Sequence, residues 1–346
     1  MSVNEIPGVY SSYEVSSALT GSSVGGVVGL AALAASGTAG QAVSVTSYTQ
    51  AVSAFGAECD MAKLVKLLLA NGAARVVAVP AAVRASATTE NYAAAFAALM
   101  QESSVKYMVC GSRDAAVHAA MKSAIAAGGE DYKYRIGFAE ADGTAAELIS
   151  AAAALNSERM ILAGNTEKNG VPGAVAAALA GCIAGQRDPA MPQNGAALTG
   201  LEELSKIFDD GDVNALITGG VTPIESVAGE ISVVRGITTR TATSGEADAT
   251  WRELSTVLIV DDVIPSIRAS LRTRFARAKN TAQTRGAIRT QVVIELEDRK
   301  TREIIDSYGS VTAQADASDP TVCAVSFDFT VAHGLNSIRL TAHITV

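Results

Sequence analysis

Residues 60–79 read DMAKLVKLLLANGAARVVAV. The apolar residues of DMAKLVKLLLA recur with helical period, Asn71-Gly72 is a good C-terminal stop, and RVVAV follows as a short, continuous apolar strand before Pro80. The same unit recurs downstream. NYAAAFAALMQE leads to VKYMVC, DAAVHAAMKSAIAA ends at Gly128-Gly129 before YRIGFAE, and TAAELISAAAAL precedes RMILAG. Short apolar strands alternating with helices are the pattern of a parallel sheet covered on both faces. The expected fold is α/β, with a doubly wound, largely parallel sheet.

Beyond this core a further helix, GAVAAALAGCIAG, starts at Gly173 and runs into the loop QRDPAMPQNG, where two prolines force an extended or turning path. The helix LEELSKIFDDG and the strand VNALIT follow. From Ile231 the character changes. ISVVRGITTRT reads as a β-branched strand, TSGEADAT as a polar turn, and WRELSTVLIVDDVIPSIRASLRTRFARAKN as a long helical stretch interrupted by Pro265. A domain boundary is placed near residue 232. VCAVSFDFTVA and the terminal NSIRLTAHITV are predicted strands. In the last one Ile338, Leu340, Ala342, Ile344 and Val346 share one face and alternate with polar residues. An alternating strand followed by no turn needs an edge to pair with.

At 346 residues, 49% hydrophobic and 18% charged, the chain can fill two domain cores. Aromatic residues are only 5%, so its helices should be slim and closely packed. VGGVVGLAALAAS is too short to span a bilayer, and the N-terminus lacks the basic and apolar regions of a secretory signal, which predicts cytoplasmic residence and no membrane insertion. The four cysteines are far apart, with no CxxC pair. The net charge is −8, yet residues 263–294 hold seven Lys or Arg and no acid. There Arg268, Arg272, Arg274, Arg277 and Lys279 crowd around an apolar stripe of Ile264, Ile267, Leu271 and Phe275. A solvated face, nucleic acid and an acidic protein surface are three readings of this stretch. The acidic whole and the lack of interleaved aromatics weigh against nucleic acid.

Catalytic and cofactor patterns are missing from the sequence. There is no GxGxxG, GxxxxGK[ST], GxSxG or HExxH, and His118, His333 and His343 are scattered. Asp209-Asp210 reads as a solvated turn at a helix end, and Asp261-Asp262 as acids near the start of the following helix. No catalytic residue, cofactor or metal is expected.

Read in order, IPGVY, VVGLAALAASGTAGQAVSVTSYTQAVSAFG, LVKLLLANGAARVVAV, LNSERMILAGN, AAALAGCIAGQRDPAMPQNG, VNALIT, VVRGITTRT and the helix before AIRTQVVIEL resemble the contractile tail sheath proteins of phage tails and phage-tail-like bacteriocins. The resemblance covers nearly the whole chain. It implies an N-terminal extended arm at 1–24, an outer α/β domain at 25–232, and an inner α+β domain at 233–346 that ends in a terminal β-strand arm. By this resemblance Val3, Ile6, Val9 and Tyr10 at one end, and the alternating residues from Ile338 to Val346 at the other, pair with sheets of neighbouring subunits. The basic helix would face an inner tube. The implied partners are further copies in stacked hexameric rings, the inner tube protein, and baseplate and tail terminator proteins. Assembly would occur in the bacterial cytoplasm, for a virion tail or a released particle. A Rossmann-like enzyme and another self-assembling shell protein are the alternatives.

Overall fold

The computed structural model describes residues 26–130, 134–336 and 339–341. The chain enters on β1 (Val27–Ala34), β2 (Val43–Val45), α1 (Tyr48–Phe55) and α2 (Asp60–Ala70). Strands and helices then alternate as β3 (Arg75–Val83), α3 (Thr89–Gln101), β4 (Tyr107–Cys110), α4 (Ala115–Glu130), β5 (Ile136–Glu140), α5 (Ala145–Leu155), β6 (Met160–Ala163) and α6 (Ala174–Gly185). The unit quoted from residues 60–79 is therefore α2 followed by β3.

The main sheet has the order β2-β3-β1-β4-β5-β6, parallel except for β2 at one edge. Counting only the parallel strands gives 2-1-3-4-5, a doubly wound order whose winding reverses between β1 and β4. One face carries α1, α2 and α6, and the other carries α3, α4 and α5. Local signals agree with these elements: Thr88 and Asn91 form a capping box at α3, and Thr144 and Glu147 form another at α5. Helix α6 is apolar on every side and is buried along almost its whole length, as a helix without a polar face must be. Its Gly181 lets α2 approach closely, since a Cβ there would lie 2.6 Å from the Leu68 carbonyl.

After α6 come β7 (Ala196–Ala197), α7 (Asp210–Thr218), β8 (Ile224–Val227) and β9 (Glu230–Val233), with a small antiparallel sheet β7-β9-β8. Residue 232 falls inside β9. Next follow the short hairpin β10 (Ala242–Thr243) and β11 (Glu246–Ala247), then α8 (Leu254–Phe275) and α9 (Ala282–Thr301). The last elements are β12 (Ile305–Tyr308), β13 (Thr312–Ala315), β14 (Cys323–Ser326) and β15 (Phe329–Val331). Ser270 meets Gln291 and Asp262 meets Arg299, so α8 and α9 run antiparallel.

Several expectations are corrected. Residues 201–209 are not a helix. Ser205 N–H donates to Thr166 O and Lys168 N–H to Glu203 O, both at 2.8 Å, so pairing with a distant segment overrides local helix preference. VNALIT is not a strand but the body of α7. Asp209 caps it by accepting Asp212 N–H at 2.8 Å, and Asp210 and Asp212 suit its positive end. Asp209-Asp210 therefore begins a helix instead of ending one. Gly128-Gly129 does not stop α4, because a glycine weakens a helix by only about 1 kcal/mol without forbidding it.

The predicted strand ISVVRGITTRT keeps strand pairing only through Val233. Its remainder is fixed by threonine hydroxyls: Thr222 exchanges hydrogen bonds with the Ile237 backbone, and Thr239 with that of Ser157. Pro265 does not break α8. The lost backbone donor leaves a gap in the helix ladder, and the Ser266 hydroxyl donates to Asp262 O at 2.6 Å beside it. VCAVSFDFTVA is split into β14 and β15, which pair with β13 and β12 respectively.

Candidate assembly surfaces

Helix α8 belongs to two cores at once. Leu254, Val257 and Leu258 join the α/β core, whereas Ile259, Val263, Ile267 and Leu271 pack with Val292 and Leu296 of α9 and with Ile304, Ile305 and Val311. The stripe continues to Phe275 at four-residue spacing and bypasses Ile264, which the sequence had placed on it. Asp261 and Asp262 lie mid-helix, not at a helix start. Asp261 pairs with Arg159 of the α/β unit, and Asp262 lies 3.4 Å from Arg299 of α9. The two carboxylates thus tie α8 to both of its neighbours.

Of the basic residues, Arg272 and Arg274 occupy the exposed last turn of α8, where a positive charge favours the helix dipole. Arg277 and Lys279 are also exposed, but they lie past the helix end in the link to α9, a correction to their expected helical placement. Arg268 is half-buried. The four exposed cations thus lie within residues 272–279, a stretch of sequence that contains no acid.

The C-terminal strands form a two-stranded antiparallel ribbon, β12-β15 continuing into β13-β14. Helix α9 flanks the β12-β13 side, where Arg289 Nε donates to Val311 O at 2.9 Å. Among the described residues no strand pairs with the outer edge of β14 and β15. Gly26 N–H donates to Ala184 O at the end of α6, and Asn336 Oδ1 accepts from Asn194 Nδ2 at 2.8 Å in the loop that follows α6. Val3, Ile6, Val9, Tyr10, Ile338, Ala342, Ile344 and Val346 lie outside the described residues. Leu340 is described and is 91% exposed.

The place where a doubly wound sheet commonly receives an anionic ligand is the C-terminal end of its strands, against a helix N-terminus. Here that position holds Glu140, at the end of β5 and fully buried. Its carboxylate accepts N–H groups of Gly173 and Val175 at 2.8 Å and Arg113 Nε at 2.9 Å. Burial pushes its pKa up, outweighing the Gly173 N–H and the Arg113 charge. His118 is buried with Nε2 2.9 Å from Ser112 O, and burial lowers its pKa. Burial likewise pushes the Cys110 thiol up to about 12. Among the described residues no group of three His, Cys, Asp or Glu is placed to hold a metal ion, and no helix is long and apolar enough to cross a membrane.

The family model for the phage tail sheath protein central domain matches residues 85–239, and that for the phage tail sheath C-terminal domain matches residues 246–345. The chain belongs to the phage tail sheath family. Solved structures share the sheath fold. One is the sheath tail protein of Desulfitobacterium hafniense, at 12% identity and TM-score 0.70 over 94% of this chain and 100% of that one. Another is the helical sheath of the anti-feeding prophage in its contracted state, at 16% identity and TM-score 0.71 over 99% of each chain. A third is the contracted PVC sheath complex of an extracellular contractile injection system, at 16% identity and TM-score 0.71 over 100% of this chain and 99% of that one. No curated protein sequence matches. As a sheath subunit the protein is a structural component of a tail assembly, the role its ordered segments implied. Sequence reasoning on the sheath chain missed Glu140, although an acid closing the apolar strand YRIGFAE was a visible signal, and it missed α9 despite the Thr281 cap.

Proposed function

We propose that the chain polymerises as stacked rings around an inner tube and that the resulting sheath shortens to drive the tube through a cell envelope. Family membership carries this reading. It is supported by the contracted state of the anti-feeding prophage and PVC sheaths that share the fold. Residues 25–232 form the outer domain, residues 233–346 the inner one, and residues 1–24 an arm. The work of the stroke comes from contacts between rigid subunits that are better satisfied in the shortened lattice, without nucleotide hydrolysis. The Glu140 carboxyl group seated on α6 favours this over a nucleotide-binding enzyme, because the protein's own side chain fills the position where an anionic ligand would sit.

The edge of the β14-β15 ribbon that no described strand covers supports strand addition by arms of neighbouring copies. Arg272, Arg274, Arg277 and Lys279, with Arg268, face the tube. Baseplate and terminator proteins cap the assembly, which forms in the cytoplasm. Electron microscopy of the protein expressed with and without its tube protein tests the reading. Cylinders of stacked rings are expected, and a protein that stays monomeric at high concentration in both cases would refute it.

A further inference from the structure

Helix α8 changes neighbours at one point. Leu254, Val257 and Leu258 are buried in the α/β core, and from Ile259 onward the buried residues of the helix that pack in a core belong to the one shared with α9. The hydrogen-bond ladder of α8 is broken just past that point. Pro265 has no N–H to donate to the carbonyl four residues earlier, that of Asp261, and the Ser266 hydroxyl turns back to Asp262 O at 2.6 Å and Val263 O at 3.0 Å. Proline is where long helices commonly bend. Helix α9 is bonded to α8 on both sides of the gap: Arg299 lies 3.4 Å from Asp262 before it, and Gln291 donates to the Ser270 hydroxyl at 2.8 Å after it. The turn before the gap is also held from the other direction, because Asp261 pairs with Arg159, whose guanidinium lies 5.0 Å from the ring centre of Tyr134.

We propose that Asp261 and Asp262 form a double latch that fixes the angle of α8 across the Pro265 gap, and with it the orientation of the α8–α9 unit on the α/β unit. Apolar packing alone does not fix that angle, since the hydrophobic effect is non-directional, whereas an arginine fork on a carboxylate is directional. Asp261 anchors α8 to the α/β unit, and Asp262 makes α9 a splint across the missing hydrogen bond. Both are positioning residues. The latch is a property of the single chain. Its use, to pass the stroke between the two units without flexing, rests on the assembly reading above.

The test reads the angle in unassembled full-length protein, so its outcome does not depend on whether cylinders form. Spin labels are placed at the exposed Ala126→Cys in α4 and Gln283→Cys in α9, with the half-buried Cys182 and Cys323 changed to serine, and their separation is measured by double electron–electron resonance. Phe275 lies ten residues past Pro265, about 15 Å at about 1.5 Å per residue, so a bend of about 20° moves the far end of α8 by about 5 Å. The otherwise wild-type chain should give one narrow distance peak. Asp261→Asn with Asp262→Asn should widen or shift it by about 5 Å at an unchanged helical circular dichroism signal, and Pro265→Ala added to that pair should bring the narrow peak back by restoring the missing donor. Asp262→Asn alone, the milder change, should widen the peak in part and decides the matter if the double variant does not fold. A peak that stays narrow in a folded Asn variant refutes the latch, and so does a widened peak that Pro265→Ala leaves unchanged.

Discussion

Glu140 Oε1 accepts the backbone N–H of Gly173 at 2.8 Å, joining the end of β5 to the start of α6. Gly173 has φ of 90°, and a Cβ there would stand 2.6 Å from Cys110 O, so the helix start fits this crevice only without a side chain. The Glu140 carboxyl is a built-in acceptor for a helix whose N-cap residue, Gly173, has no side chain of its own.

Glu140→Gln should therefore destabilise the α/β domain by about 1–3 kcal/mol, since the amide leaves part of the α6 N–H set and Arg113 less well satisfied. Its pH dependence has a defined sign. Burial raises the folded pKa above the ordinary 4.5, so in the window starting there the folded state binds the proton more readily. The contribution of Glu140 is then complete below 4.5 and declines as pH rises. Urea unfolding should show a larger wild-type advantage over Glu140→Gln at pH 5 than at pH 7; a difference that grows with pH would contradict the burial-dominated assignment.

Close packing of α2 on α6 yields a second expectation. Gly181→Val adds atoms where a Cβ already meets Leu68 O at 2.6 Å and Asn71 Cβ at 2.9 Å, so neither neighbour can yield without moving backbone. A loss of about 1–3 kcal/mol is expected, read as a lower urea midpoint at unchanged slope. An unaltered midpoint would mean that the two helices separate more freely than their contact implies.

The α/β core was legible because each of its units carries its own signals: the Asn71-Gly72 stop, the Thr88 and Thr144 caps, and strands apolar enough to be buried on both faces. Legibility failed where distant contacts decide. Residues 201–209 take their conformation from residues 165–168, and the hydroxyls of Thr222 and Thr239 replace ladder bonds that no period reveals. Asp261 and Asp262 looked like a helix start because their partners, Arg159 and Arg299, lie far away in sequence. The exposed cations were readable as a charge run, but the end of α8 at Phe275 was not, so Arg277 and Lys279 were assigned to a helix they leave.

The exposed cations give the third expectation. Arg272→Glu with Arg274→Glu should change stability by less than about 0.5 kcal/mol, since both side chains are exposed and lie off the Ile267–Leu271 stripe. Assembly on the tube should suffer and grow more sensitive to salt, because ion pairs worth about 0.2–1 kcal/mol each act together along a repeating particle. Normal tube-bound cylinders of the double variant, seen by electron microscopy, would remove these residues from the tube surface.

The fourth expectation concerns the end of the chain. Residues 337–346 are ten residues, about 34 Å when extended, enough to reach across a neighbour's ribbon and form several backbone hydrogen bonds. Among the described residues the outer β14-β15 edge is unpaired and offers the groups to receive such a strand, and Asn336, just before this segment, is held by Asn194. Removing residues 337–346 leaves the three described cores intact, so the truncated protein should stay soluble and folded with a melting profile close to that of the full chain. If the deleted residues pair between copies, as proposed, its cylinders should be lost. Cylinders that form at the full-length concentration would show that the last strand pairs within its own domain, and strand exchange at this end would have to be abandoned.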